Sequence, residues 1–236
     1  MVRVYNDALK AEVVLEITAM DAPTAAFTRL IVQKQDTNGK WQHAFEQAGT
    51  TADEVAVKLR DIYVANGETY SYKVMYINEE NIIVKQEELT VTSQFDGLVV
   101  ADKTATYISV GNWDYAHSRT TSVNYIQPFQ RRYPIAIVNG DVSYESGNAS
   151  GIFAPFDAKG NPTYENLTAY RHKFLRYLSQ PGTKLFKSFD GYMWMVSIGS
   201  GVKDTYEKSP ETIAVSFDWT EVDDVPTVDC LQVVSG

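Results

Sequence analysis

The chain has 236 residues, with 21 Lys and Arg against 30 Asp and Glu for a formal net charge of −9, and its 44% hydrophobic and 22% charged residues exclude a disordered, collagenous or disulfide-built chain. No Lys/Arg block supplies the counterion-release attraction of a phosphate-backbone binder, so no specific nucleic acid is expected. No apolar run approaches the roughly 18 residues of a spanning helix, so no membrane insertion is expected. A lone cysteine, Cys230, and a start at residues 1–6 without the apolar stretch of a signal peptide predict synthesis in a reducing cytoplasm. Fifteen Tyr, ten Phe and four Trp favour strands and interfaces.

From Ala11 to about Thr92, short alternating segments separated by turn residues predict an all-β sandwich rather than βαβ units. Val13, Leu15 and Ile17 share one strand face. Arg29 to Gln35 forms another strand, and Asp36-Thr37-Asn38-Gly39 turns the chain back toward Trp41. Tyr70, Tyr72, Val74 and Tyr76 line one face of a later strand, followed by Ile82–Val84 and Leu89–Val91. Val64, Gly67 and Tyr70, followed by this alternation, resemble the corner and following strand of fibronectin type III modules. The Tyr70 hydroxyl is then expected to bond to backbone upstream.

Ser93-Gln94-Phe95-Asp96-Gly97 interrupts the alternation and predicts a boundary, giving domains over 1–95 and 96–236. The second opens with Leu98-Val99-Val100 and a strand from Ala105 to Val110. The polar, aromatic stretch from Asn112 to Gln130 reads as a long loop. Arg131 to Val138 then runs into Asn139-Gly140, a strong hairpin signal, so Ile137 is expected opposite Val142 and Ile135 opposite Tyr144.

Leu167, Tyr170, Phe174 and Leu178 recur at helical spacing and predict a helix over about 163–180, capped by Thr163 and stopped by Pro181-Gly182. A hairpin turning at Asp190-Gly191 follows. A two-residue turn pairs Phe189 with Tyr192 and Leu185 with Val196, placing Trp194 on that face as well. Phe186, Met193 and Met195 are left on the other face as a candidate subunit interface. Ile213 to Trp219 closes the series, and Glu221 to Pro226 begins a short acidic tail.

The order of Arg131-Arg132-Tyr133-Pro134, Asn139-Gly140-Asp141, Phe174-Leu175-Arg176-Tyr177-Leu178, Asp190-Gly191-Tyr192-Met193-Trp194 and Val215–Trp219 resembles bacteriophage tail-tube and distal-tail proteins. The resemblance implies a mainly β chain: a fibronectin III-like sandwich, then a tail-tube-like β-barrel or sandwich with one flanking helix. It further implies a structural tail-tip or baseplate component in the virion tail, made in the host cytoplasm. Its partners would be copies of itself in a ring and neighbouring tail-tube, hub or baseplate proteins.

Chemistry is sparse. His43, His117 and His172 lack the short spacing of a metal pair, so no metal and no cofactor are expected. Glu79-Glu80, Glu87-Glu88 and Asp223-Asp224 are adjacent carboxylates, which a strand points to opposite faces, so they do not form a catalytic acid and base. No catalytic residues and no enzymatic activity are predicted. The candidate ligand or contact loop comprises Trp113, Tyr115, His117, Tyr125 and Phe129. Its rings either stack on a sugar, the reading of a tail-borne carbohydrate-binding or host-receptor-binding module, or pack at a subunit contact.

Overall fold

The computed structural model describes residues 2–129, 131–205 and 213–234. The chain is mainly β, with one α-helix among the described residues. Two four-stranded antiparallel sheets form the first layer pair. One has the order β1 (Arg3–Asp7), β2 (Glu12–Ile17), β5 (Val57–Asp61), β15 (Gln232–Val233). The other runs β4 (Trp41–Ala48), β3 (Arg29–Gln35), β6 (Thr69–Ile77), β7 (Ile83–Thr92). Alternation makes this arrangement possible. Val13, Leu15 and Ile17 from one sheet and Leu30, Val32, Tyr72, Val74 and Tyr76 from the other fill a single core.

The turn expected at residues 36–39 is present. Asp36 and Lys40 close it through a backbone bond of 2.8 Å, with Gly39 at φ +78°. The Tyr70 hydroxyl accepts the Ala65 backbone N–H at 2.7 Å, tying the start of β6 to the chain that leaves β5.

Strands β8 (Val99–Ala101), β9 (Thr106–Ile126), β10 (Ile135–Phe153), β11 (Lys184–Lys187), β12 (Met193–Ile198) and β14 (Ala214–Asp223) pair in the order β10-β9-β8-β11-β12-β14. Strand β14 also pairs with β10, which closes a six-stranded barrel, and β13 (Lys203–Thr205) lies along β14. Leu98, Val100, Phe186, Trp194, Val196, Phe217 and Trp219 fill it.

Helix α1 (Leu167–Leu178) adds Phe174, Tyr177 and Leu178 to the same core, with the Phe174 ring 4.2 Å from Phe153 and 4.7 Å from Tyr107. The helix expected from the apolar spacing is present, but it starts later than residue 163. Thr163 accepts the Glu165 N–H in a local turn, and Asn166 at φ +56° occupies the cap position.

The predicted division at residue 96 also changes at its far end. Strand β15 pairs with β5, and Cys230 and Leu231 are buried in the first core. Residues around 230 therefore belong with the sandwich although the barrel precedes them. Phe95, in the expected linker, is buried against Ala11, Val99, Ala101 and Ile108 and packs the two units together.

The Asp190-Gly191 hairpin has a different register from the expected one. Lys187 pairs with Met193, Phe186 with Trp194, and Leu185 with Met195. The turn takes one residue more on its N-terminal side, through Ser188 N–H to Tyr192 and Gly191 N–H to Ser188. A one-residue slip sends one strand's side chains to the opposite faces. Phe186 accordingly joins Trp194 inside the barrel, ring centroids 5.6 Å apart, while Leu185 moves outside with Met193 and Met195. Phe189, expected in the core, is 39% exposed.

The outer face of that hairpin packs on the first core, and its centre is Lys187. This side chain is fully buried, and its ammonium donates to the carbonyls of Ala11, Ile62 (2.8 Å) and Val64 (3.1 Å). All three acceptors belong to the sandwich, so one lysine of the barrel supplies three bonds across the junction. Burial pulls its pKa down to about 7, against the pull of Asp61 and Glu12 in the other direction.

Candidate functional site

Residues 112–130, expected as a loop, mostly form the C-terminal part of β9. The run from Asn112 to Gln127 contains neither Gly nor Pro and sets Trp113, Tyr115, Thr120, Thr121, Val123 and Tyr125 among polar residues, so it has the composition of a strand whose two faces are both wet. It pairs with β10 from Ser109↔Phe153 outward to Ile126↔Ile135. Asn139-Gly140 does not turn a hairpin. It lies within β10, where the register shifts between Val138↔Val123 and Ser143↔Thr121, so four residues of β10 stand opposite Ser122 alone. The local Asn-Gly signal is absorbed as a bulge, and the chain reverses between the end of β9 at Ile126 and the start of β10 at Ile135 instead.

The ladder between β10 and β14 stops at Ser146↔Thr220. Beyond it, Arg119–Ile126 and Ile135–Glu145 form a two-stranded arm without a further strand on either edge among the described residues. Eight residues at about 3.3 Å each carry the arm roughly 25 Å past the barrel. Tyr125, Ile126, Phe129, Tyr133 and Ile135 are exposed at its end, Phe129 by 93%. Gly147 marks the foot: a Cβ there would lie 1.8 Å from the Ala116 carbonyl oxygen, so this point of β10 needs a residue without a side chain.

A second feature sits at that foot. Tyr115 stacks on His117 (5.9 Å), His117 meets Tyr192 (5.1 Å), and Tyr192 stacks on Trp194 (5.3 Å, 7° between planes). Trp113 and Tyr115 each approach Phe189 at about the same distance, 6.2 and 6.0 Å. Glu145 accepts Trp194 Nε1–H at 2.7 Å and lies 3.0 Å from His117 Nδ1. Asp190 accepts from the Ser188 and Tyr115 hydroxyls. Burial raises its pKa, but these bonds outweigh it and hold the carboxyl below the ordinary value, while burial and the bond to Asp190 push Tyr115 up to about 12.

The predicted contact residues thus divide. Trp113, Tyr115 and His117 gather at the foot; Tyr125 and Phe129 stand at or beyond the end of the arm. Phe189, Tyr192, Trp194, Glu145 and Asp190 were missed as members of the foot cluster, because they come from β10, the β11–β12 turn and β12, and only strand pairing brings them to β9.

The predicted interface of Phe186, Met193 and Met195 is not a free face. Phe186 is inside the barrel, and the two methionines pack against the first core. Among the described residues no three His, Cys, Asp or Glu are grouped as for a metal ion, and no helix is long and apolar enough to cross a membrane. No protein-family model matches the chain, and no curated protein matches it in sequence.

Proposed function

We propose that the chain is a structural subunit of a bacteriophage tail tip or baseplate, acting by assembly into a ring or adaptor around the tail axis rather than by catalysis. The observation that carries the reading is the arm. A two-stranded ribbon is at best marginally stable alone in water, and free strand edges are templates for further pairing. With β9 open on one side and β10 on the other, successive copies can add arm to arm in a heterologous, closing arrangement.

The six-stranded barrel with its helix supports the tail-tube-like description. The sheet orders β1-β2-β5 and β4-β3-β6-β7, with the Tyr70 corner, support a fibronectin type III-like first unit. Electron microscopy and light scattering of the purified chain test the reading. Closed rings or stacked tubes are expected; a monomer at every concentration and salt would overturn it.

The foot cluster favours a second reading, a tail-borne glycan-binding module, since exposed rings of Trp113, Phe189 and Tyr192 offer flat apolar faces beside Asp190 and Glu145. Saccharide titration followed by tryptophan fluorescence tests it, with loss of the response expected in Trp113→Ala; a wild-type signal unchanged by any saccharide would remove this reading.

A further inference from the structure

The charge on the chain is unevenly placed. From Tyr115 through Gly140 the sequence contains Arg119, Arg131 and Arg132 and not one Asp, Glu or Lys. The turn at the tip therefore carries +2 from Arg131 and Arg132; the whole arm from Arg119 to Glu145, with Asp141 and Glu145 near its foot, carries +1, which leaves the rest of the chain at −10, the total of −9 less the arm's +1. Arg131 and Arg132 are both exposed, on the turn between β9 and β10, among the exposed rings of Phe129 and Tyr133. The strand beside the arm's foot bears the opposite sign: Asp218 and Asp223 on β14, and Asp224 just past it, are exposed.

Resting on the assembly reading above, we infer that the arm tip docks on the acidic body of a second copy of this chain, steered by Arg131 and Arg132 and anchored by the aromatic and aliphatic side chains around them. The occupant follows from three features. A basic, aromatic tip and an acidic body are two different and complementary surfaces on one chain, which is what a heterologous contact between identical copies requires. The arm's reach of roughly 25 Å is close to the width of a small domain, so the tip extends across a neighbouring body. Large apolar groups held at the end of an exposed ribbon, rather than folded back onto their own barrel, supply the buried centre that a charged contact alone lacks.

Such a contact has a distinctive salt response. Complementary charges raise the association rate at low ionic strength and are screened at high, whereas arm-to-arm backbone pairing is little affected. The test compares the full chain with Arg131→Glu/Arg132→Glu by sedimentation velocity over salt from about 50 to about 500 mM. Circular dichroism confirms that the exposed substitutions leave the fold in place.

Wild-type assembly is expected to weaken at least roughly tenfold across that range, and the reversed variant to assemble at least roughly tenfold less well at low salt, with its salt dependence abolished or inverted. Equal, salt-independent assembly of both proteins would overturn the docking while leaving the assembly reading intact. A wild-type chain that never assembles would overturn both. Tight binding of wild type, but not of the variant, to a DNA duplex or to anionic phosphatidylserine vesicles, with assembly unchanged, would overturn the choice of occupant.

Discussion

Replacing Lys187 by Met tests the junction between sandwich and barrel at its centre. The substitution keeps a long, unbranched side chain but removes the ammonium that holds the carbonyls of Ala11, Ile62 and Val64. Bonds to a charged donor are worth about 1.5–3 kcal/mol each in isolation, and three acceptors in a dry junction lose their donor together. Against that stands relief of the charge's desolvation, evident in the depression of the pKa from 10.5 to about 7. Leaving a buried acceptor without its donor costs about 1–3 kcal/mol, and with three carbonyls orphaned against the relief of one buried charge the net loss is expected at about 3 kcal/mol at pH 6. Guanidinium unfolding followed by tryptophan fluorescence measures it, because Trp41 reports on the sandwich and Trp194 and Trp219 on the barrel. The linkage has a defined sign. With the folded pKa below the unfolded one, the unfolded chain binds more protons between about pH 7 and 10.5, so this group makes the wild type gain stability as pH rises through that window. The wild-type-minus-variant difference isolates that slope from other titrating groups. A Met variant as stable as the wild type at pH 6, or a difference flat from pH 7 to 10, would refute the reasoning.

Tyr70→Phe should destabilise the chain by about 1–2 kcal/mol by leaving the Ala65 N–H without its acceptor, and an unchanged denaturation midpoint would count against the corner. Met193→Ser with Met195→Ser should lower stability by about 1–3 kcal/mol in total, since both side chains are partly buried on the sandwich core; retained stability with lost assembly would instead restore an intersubunit role. At Asp102, burial raises the pKa, but bonds from the Thr104 hydroxyl and the Thr104 and Ala105 N–H groups outweigh it and hold the pKa below 3.8. Its contribution is therefore present above pH 3.8 and lost as pH falls further; acid titration of Asp102→Asn should lack that component. Gly147→Ala should displace β9 from β10 at the arm's foot and reduce amide-exchange protection there, an effect that hydrogen exchange by mass spectrometry resolves residue by residue.

The sandwich strands were legible because their cores alternate: Tyr70, Tyr72, Val74 and Tyr76 face one way, and that period needs no tertiary knowledge. Helix α1 was legible for the same reason, through Leu167, Phe174 and Leu178. The arm was not, because a strand wet on both faces shows no alternation of polarity, and Asn139-Gly140 gave a turn signal that the long ladder accommodates as a bulge. The faces of β11 and β12 depended on a single residue in the turn at 188–191, a difference no composition encodes. Lys187 was overlooked because a lysine in sequence reads as solvent-facing; only the carbonyls of Ala11, Ile62 and Val64, brought together by the sandwich, make its burial tolerable.

Strand β15 has a mechanical and a temporal consequence. Because β1 and β15 lie in one sheet, separated only by β2 and β5, tension applied between them is carried by four strands of the sandwich and bypasses the barrel ladder. The barrel is spared the load that its flanking segments bear, a useful division if the arm must hold its place while the sandwich is pulled. During synthesis, the outer edge of β5 waits uncovered until Gln232 and Val233 emerge, after the whole barrel has been made. Completion of the sandwich is thereby timed to follow translation of the barrel, and a chain cut short before β15 would present that edge to any strand it met.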